Sequence, residues 1–269
     1  MKTVLSHWNF DYLPLISVTG LCIFYAVVAK FTTRGIVYFL TAVSFIILCF
    51  FSPLNNLSAH YLLSAHMAVH VILLLCVSPL LLLSLPCSDE HLSTLFNFLK
   101  RYPFVSWFTG VAIMWVWHLP VLFNALMPTT HYAGMGMVHA LETISLVIAG
   151  IIFAAPVIHP NEKFRISGLT GVVYLFTACL GCSVLGMLIT FAPAGTYHHF
   201  LSPLNEYGFN QIITEQWGFT QLKDQQAAGL IMWVPCCLIY VSGAMYLLMQ
   251  WFEDKEQVSK TDLKLNGAK

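Results

Sequence analysis

Apolar runs of about 20 residues recur along the whole chain, and each is long enough to cross a bilayer as a helix. Of the 269 residues, 58% are hydrophobic and only 9% are charged, whereas a soluble domain carries about 25% charged residues. A transmembrane β-barrel would instead need segments of alternating polarity, about 10 residues long, and the sequence has none. We therefore predict an all-α, polytopic membrane bundle that forms a single domain over residues 1–269.

Seven transmembrane helices are predicted, and most of the connections between them are short. The spans cover residues 12–29, 35–51, 59–85, 104–126, 132–158, 166–191 and 225–252. Prolines lie near most span ends, where helices tolerate them best. The longest connection is 194–224, and residues 253–269 form a tail.

Lysine and arginine are distributed unequally between the two ends of these spans. Ten of the twelve lie in the loops after spans one, three and five and in the C-terminal tail, while Lys2 and Lys223 lie on the other side. Basic residues accumulate on the cytoplasmic side of membrane proteins. We therefore predict a multi-pass protein of the cell (inner) membrane, embedded in the lipid bilayer, with the N-terminus outside and the C-terminus cytoplasmic. The formal net charge is zero, so nothing indicates nucleic acid binding.

Histidines have the opposite distribution. Nine of the eleven fall on or toward the predicted outer side, and only His91 and His159 fall on the cytoplasmic side. The predicted orientation depends only on lysine and arginine, so the unequal distribution of histidine is an independent indication of a function at the outer side.

Three predicted spans carry metal-ligand side chains at a similar depth. At ~1.5 Å per residue, His66 and His70 lie roughly 10–16 Å from the start of span three, and His118 lies roughly 12 Å from the outer end of span four. His139 and Glu142 lie roughly 10–16 Å from the start of span five. Ionisable groups inside membrane helices are costly and normally face a bundle interior, a cavity or an ion. A compact bundle would bring these groups together in one layer.

Imidazole and thioether groups together suit copper, and Cu(I) in particular where methionine takes part. The candidate ligands are His60, His66, Met67, His70, His118, His131 and His139. Carboxylates can orient ligand imidazoles or accept the proton that a ligand histidine releases. The candidates for these roles are Glu142 and Asp224. Met135, which shares a helix face with His131 and His139, is a candidate for a supporting position beside the ligands. In the long outer connection, His198 and His199 are candidates for the first contact with incoming metal.

Each of these groups also has a structural explanation. His66, Met67 and His70 can form a hydrogen-bonding set between helices, and His118 can satisfy carbonyl groups that Pro120 leaves free. A structural His–Glu pair is the alternative on span five, and a solvated loop is the alternative for the histidine pair of the outer connection.

The eight cysteines lie mostly within apolar runs, which argues against a disulfide framework. Cys179 and Cys182 share one face of span six, and Cys236 and Cys237 are adjacent on span seven. Close packing through small residues is the favoured interpretation, and metal binding is the alternative. The sequence does not assign a role to these four residues.

Four motifs, in order, resemble a known family. They are His66-Met67-x-x-His70, Trp117-His118-x-Pro120, His139 with Glu142, and Asp224-Gln-Gln-x-x-Gly229-Leu-Ile-Met232-Trp233-x-Pro235. They are similar to motifs of the seven-helix CtaG-type cytochrome c oxidase assembly factors, which are distinct from the single-span copper chaperone of the same name. The resemblance extends over residues 60–235, about two thirds of the chain.

The resemblance implies a membrane protein, not an enzyme, that is needed for the maturation of a haem–copper oxidase through its copper centres. It implies an oxidase subunit or a copper chaperone as partner. The residues carried over by motif position are His66, Met67, His70, His118, His139, Glu142 and Asp224. One departure is the end of span five, where this chain has Phe153-Ala-Ala-Pro156 instead of the family's Trp-rich end.

Other functions remain open beside a copper-handling assembly factor. A haem-binding electron carrier or oxidoreductase would pair His70 with His139 or His118 as axial ligands. A copper or proton transporter would use Glu142 and Asp224 for protons, although few polar groups lie in the inner halves of spans three to five. A structural scaffold without metal is the remaining alternative.

Overall fold

The computed structural model describes residues 8, 12–28, 32–85, 90–126, 134–197 and 209–266. Within these ranges all regular structure is helical and no strand occurs, so the predicted all-α class is confirmed. The helices are α1 (Tyr12–Val28), α2 (Thr33–Phe51), α3 (Pro53–His60), α4 (Leu63–Ile72), α5 (Ser78–Ser84), α6 (Glu90–Arg101), α7 (Pro103–His118), α8 (Pro120–Leu126), α9 (Gly134–Ile158), α10 (Gly168–Phe191) and α11 (Gln221–Asn266). Two π-helical turns, Leu73–Val77 and Ile212–Gln216, and a 3₁₀ turn, Glu162–Phe164, complete the regular structure described.

In the described part of the chain, five helical segments are long and apolar enough to cross a membrane. They are Thr33–Phe51, Leu63–Ser84, Met137–Ile158, Gly168–Phe191 and Gln221–Glu256. A sixth span is formed if α7 and α8, which meet at a bend of 63°, are taken together. The predicted first span coincides with α1, whose apolar part, Tyr12–Val27, is shorter than the others. The polytopic helical architecture is confirmed, whereas the seventh span and the orientation of the termini stay predictions.

The third predicted span differs from its prediction in two respects. It begins at Leu63 instead of near residue 59, because residues 53–60 form the separate helix α3. It also contains the π-helical turn Leu73–Val77 between α4 and α5. Pro79 lacks an N–H and disturbs the hydrogen-bond ladder before it, and the Leu73 carbonyl accepts both the Ser78 N–H and the Ser78 hydroxyl, the latter at 2.8 Å. Such π turns often lie at functional sites, and this one begins three residues after His70.

The fourth predicted span is broken at His118. Leu119 has an extended backbone, with φ −64° and ψ 122°, because a proline disfavours the α conformation in the residue before it. α8 starts at Pro120, where the missing N–H costs no helical hydrogen bond. The break releases the His118 carbonyl from the helix, and the Tyr197 hydroxyl donates to it at 2.9 Å.

Two glycines let α10 and α11 approach each other closely. A Cβ atom at Gly229 would lie 2.1 Å from Thr190 Oγ1 and 2.6 Å from the Gly186 carbonyl oxygen. A Cβ atom at Gly186 would lie 2.6 Å from Trp233 Cβ. Small residues are typical of membrane helix contacts of this kind, and they fix α11 against α10 near its start.

The distribution of side chains is that of a membrane bundle. Large apolar side chains such as Phe108, Phe176 and Leu238 are exposed on the outward faces of the helices, where lipid would contact them. Five ionisable side chains on the predicted outer side of the bundle are buried instead. They are His66, His70, His118, Glu142 and Asp224, each at most 3% exposed.

Candidate metal site

α4 and α9 bring two histidines and one glutamate together inside the bundle. His66 and His70 lie one turn apart on the same face of α4, and both face Glu142 on α9. The distances from Glu142 Oε1 are 3.5 Å to His66 Nε2 and 3.4 Å to His70 Nε2. One ligand atom from each of the three residues lies within 4.8 Å of the others. We call these three residues, His66, His70 and Glu142, the His–Glu trio.

The distances within the His–Glu trio suit a small ion better than hydrogen bonds. Nitrogen and oxygen ligands lie about 2.0–2.2 Å from a zinc-sized ion, so two ligands of a tetrahedral site are about 3.4 Å apart. The two His–Glu separations of 3.5 and 3.4 Å match this value, whereas protein hydrogen bonds are about 2.7–3.2 Å long. The atoms His70 Nε2 and Glu142 Oε1 are buried and form no hydrogen bond with any of the described residues. The residues present therefore fit a metal ion.

The charge of Glu142 leads to the same conclusion. Its side chain is fully buried, at 0% exposure, and an uncompensated charge in an apolar interior costs several kcal/mol. In the described part of the chain its ion-pair partners are His66, His70 and His139. Each of these is positive only when protonated, so either a proton or a bound cation must balance the carboxylate.

His139 contacts the other oxygen of the same carboxylate. Its Nδ1 lies 3.3 Å from Glu142 Oε2, and its side chain is 24% exposed. This contact holds the carboxylate and leaves Oε1 facing the two α4 histidines. The sequence predicted His139 as a ligand and Glu142 as its supporting group, and the geometry favours the exchange of these two roles.

His118 and Met67 extend the site toward α7. His118 Nδ1 contacts the Met114 carbonyl, and because a carbonyl oxygen only accepts, we assign the proton of His118 to Nδ1. Its Nε2 then carries a lone pair and lies 3.0 Å from Met67 Sδ and 3.2 Å from His70 Nδ1. His70 Nδ1 therefore donates to His118, and a neutral His70 presents the lone pair of Nε2 to Glu142. A cation between these two atoms would satisfy both.

The remaining predicted ligands are not part of this cluster or lie outside the description. His60 ends the separate helix α3, is half-buried, and its ring lies 6.4 Å from that of Tyr61. Met135 lies in α9, but its side chain is outside the described part of the structure. His131, His198 and His199 lie outside the described residues altogether, so their proposed roles stay predictions.

Asp224 caps α4 from the neighbouring helix α11. Its Oδ2 accepts the Leu63 N–H at 2.7 Å, and its Oδ1 accepts the Ser64 N–H at 3.0 Å. The residue before α4 supplies no capping side chain, and a carboxylate at a helix N-terminus also interacts favourably with the helix dipole. The sequence predicted that Asp224 orients an imidazole. In the structure it instead accepts hydrogen bonds from backbone N–H groups of α4, the helix that carries His66 and His70.

Replacement of Asp224 by alanine is expected to lower the free energy of unfolding by about 1–2 kcal/mol, the usual cost of a lost helix cap. Chemical or thermal unfolding in detergent measures this loss. The matched control is Asp254→Ala, since Asp254 lies on the same helix and is exposed. Equal stability of the two variants would show that the cap contributes nothing.

Residues that the sequence analysis did not select fix the helices around the site. Gln225 Nε2 donates to the carbonyls of Ile189 at 3.2 Å and Ala192 at 2.8 Å, at the end of α10. Trp117 Nε1 donates to Ser145 Oγ at 2.8 Å and joins α7 to α9 beside Glu142. The sequence contains an indication of this role for Gln225. It lies in the motif that begins with Asp224, and an amide buried in a membrane helix needs hydrogen-bond partners.

These features define a multi-pass helical membrane protein with a buried imidazole–carboxylate site that three of its predicted spans supply. The family model of the cytochrome c oxidase caa3 assembly factors (Caa3_CtaG) matches residues 23–254. The chain belongs to this family, as its motifs predicted. Among curated proteins none matches significantly, and the same is true of solved structures.

Proposed function

We propose that this protein binds copper at the outer side of the cell (inner) membrane and passes it to a haem–copper oxidase during assembly. Membership of the caa3 assembly factor family supports the role in oxidase assembly. The His–Glu trio carries the copper part of the proposal, because a fully buried carboxylate lies 3.4–3.5 Å from two imidazole nitrogens. The proposed partner is an oxidase subunit or a copper chaperone.

The neighbouring sulfur ligand favours copper over other metals. Two imidazoles and a carboxylate alone would suit zinc as well as copper. Met67 Sδ, only 3.0 Å from His118 Nε2, adds a soft ligand that suits Cu(I). His70 links the two groups, since its Nε2 faces Glu142 and its Nδ1 donates to His118 Nε2. The site thus offers copper a nitrogen–oxygen set in the His–Glu trio and, next to it, the sulfur of Met67.

The geometry disfavours haem as the bound group. The two axial nitrogens of a bis-His haem would be about 4 Å apart, given metal–nitrogen bonds of about 2 Å. The facing nitrogens of His70 and His118 are only 3.2 Å apart, and their ring centres are 5.1 Å apart. His139, the other proposed axial partner, is held by Glu142. A macrocycle would have to displace this whole cluster.

Metal analysis of purified protein tests the proposal. The double variant His66→Ala/His70→Ala is expected to carry about one copper per chain less than wild-type protein from copper-supplemented cells, because both ligand nitrogens are removed. An optical spectrum of the same samples should show no Soret band. His159→Gln is the control, because His159 lies beyond the end of α9, between Phe96 and Phe164.

An unchanged copper content in the double variant would overturn the proposed site. A Soret band would identify haem instead of copper as the bound group. A second readout is the copper content of the oxidase in cells. Cells that express only the double variant should assemble an oxidase with less copper, while cells that express the His159 variant should not differ from the wild type.

A further inference from the structure

Four cysteines lie at the contact between α10 and α11, outside the His–Glu trio. They are Cys179, Cys182, Cys236 and Cys237, all of them free. The Sγ atoms of Cys179 and Cys237 are 3.1 Å apart, and Cys182 contacts Cys236 beside them. Cys179 is only 7% exposed, and Cys237 is half-buried. The two helices thus place two pairs of thiols side by side in the apolar interior.

Cys179 and Cys237 belong to a closed hydrogen-bond network. The Ser183 hydroxyl donates to the Cys179 carbonyl at 2.8 Å, so its oxygen is left to accept from the Cys237 thiol at 3.1 Å. The Cys179 thiol in turn donates to Cys237 Sγ. The network turns both sulfur atoms toward each other, and each sulfur keeps lone pairs that a soft cation can use.

We propose that Cys179 and Cys237 form a second soft-metal site, which takes Cu(I). Thiolate sulfur is a preferred ligand of Cu(I). On binding, one thiol releases its proton to the solvent as the ion arrives, so the total charge of the site does not change and no electron is transferred. A neutral site avoids the large cost of an uncompensated charge in an apolar interior. With metal–sulfur bonds of about 2.3 Å, the two sulfurs must move apart by up to about 1.5 Å.

Further sulfur atoms lie in the same core as this pair and the His–Glu trio. Met67, Met114 and Met232 belong to the buried core cluster that also contains Cys179 and Cys236. Met232 precedes Cys236 by one turn on the same face of α11. Because Met67 also contacts His118 at 3.0 Å, one continuous core carries soft ligands from the trio to the thiols. Copper exchange between the two sites rests on the proposed function, whereas Cu(I) binding by the thiols does not.

Titration with Cu(I) under reducing conditions, in competition with bicinchoninate, tests the thiol site. Cys179→Ser/Cys237→Ser is expected to bind one equivalent less than the wild type, and His66→Ala/His70→Ala is expected to keep the thiol-bound equivalent. The control is Cys22→Ser, because Cys22 is an exposed cysteine of α1. If the cysteine variant binds as much Cu(I) as the wild type, the thiols serve only for packing and the inference is wrong.

X-ray absorption of the copper-loaded histidine variant gives a readout that needs no cysteine substitution, should the serine variant fail to fold. A coordination shell of sulfur at about 2.3 Å is expected, and a shell of nitrogen and oxygen alone would overturn the inference. The two proposals fail separately. Loss of copper only in the histidine variant leaves the proposed function intact and removes the thiol site. Loss of copper only in the cysteine variant supports the thiol site and contradicts the proposed function of the His–Glu trio.

Discussion

Replacement of Glu142 by glutamine is expected to weaken copper binding by at least about 100-fold, since even groups that only support metal ligands contribute 10–100-fold. The same substitution should leave the metal-free protein as stable as the wild type or more stable. Glu142 is fully buried and lies 3.3–3.5 Å from three histidines. Without a metal the buried charge of Glu142 destabilises the folded protein, and a neutral side chain of the same shape removes this destabilisation. The opposite signs of these two effects distinguish a ligand from a structural residue.

Thermal unfolding in detergent, with and without copper, measures both effects. A ligand at 100 times its Kd stabilises the folded state by about 2.7 kcal/mol, so the wild type should unfold at a higher temperature with copper and Glu142→Gln should not. The control is Glu162→Gln, because Glu162 is 87% exposed and pairs only with Arg165 in the described structure. If Glu142→Gln destabilises the metal-free protein and retains the copper-induced shift, Glu142 has a structural role only.

Replacement of Gly229 by alanine is expected to cost about 2–3 kcal/mol of stability, at the upper end for overpacking of a core. The new Cβ would lie 2.1 Å from Thr190 Oγ1 and 2.6 Å from two backbone atoms, the Thr190 nitrogen and the Gly186 oxygen. The Thr190 hydroxyl is itself bonded to the Gly186 carbonyl at 2.7 Å, so it cannot turn away without losing that bond. α10 and α11 must therefore separate.

Unfolding curves of Gly229→Ala and Gly20→Ala make a matched comparison, because both exchange a helical glycine for alanine. Nothing lies within 4 Å of a Cβ atom at Gly20, so that variant should gain roughly 0.5–1 kcal/mol from the better helix propensity of alanine. Equal stability of the two variants would contradict the close contact between α10 and α11. The copper content of Gly229→Ala shows in addition whether this contact supports the metal site.

The convergence of His66, His70 and Glu142 could be predicted from the sequence, because helix spacing and depth in the membrane are properties of single segments. The roles within the site could not. Whether Glu142 or His139 meets the two α4 histidines depends on the rotation of α9 against α4, which no single segment determines. Asp224 illustrates the same limit, since a carboxylate near the start of one helix gives no sign that it caps another.

A helix boundary can be predicted from the sequence where a single residue, such as a proline, determines it. It cannot be predicted where contacts with other helices determine it. Pro120 is a sequence signal for the end of α7 near His118, although the predicted span 104–126 runs through it. The separate helix α3 has a weaker signal, the Ser52–Pro53 start, where Ser52 Oγ accepts the Leu54 N–H at 3.2 Å. The predicted last span ends at residue 252, where the apolar residues stop, but the end of an apolar span does not give the end of the helix. Residues beyond it are good helix formers, and α11 continues to Asn266.

The hydrogen bonds of Asp224 have a mechanical consequence for the metal site. They join the first turn of α11 to the first turn of α4, at Leu63 and Ser64, within one turn of His66. A displacement of α11 along its axis therefore shifts or tilts the start of α4 and alters the angle at which His66 meets Glu142. A protein that docks on α11 would in this way weaken the binding of the ion proposed for the His–Glu trio without contacting the trio itself.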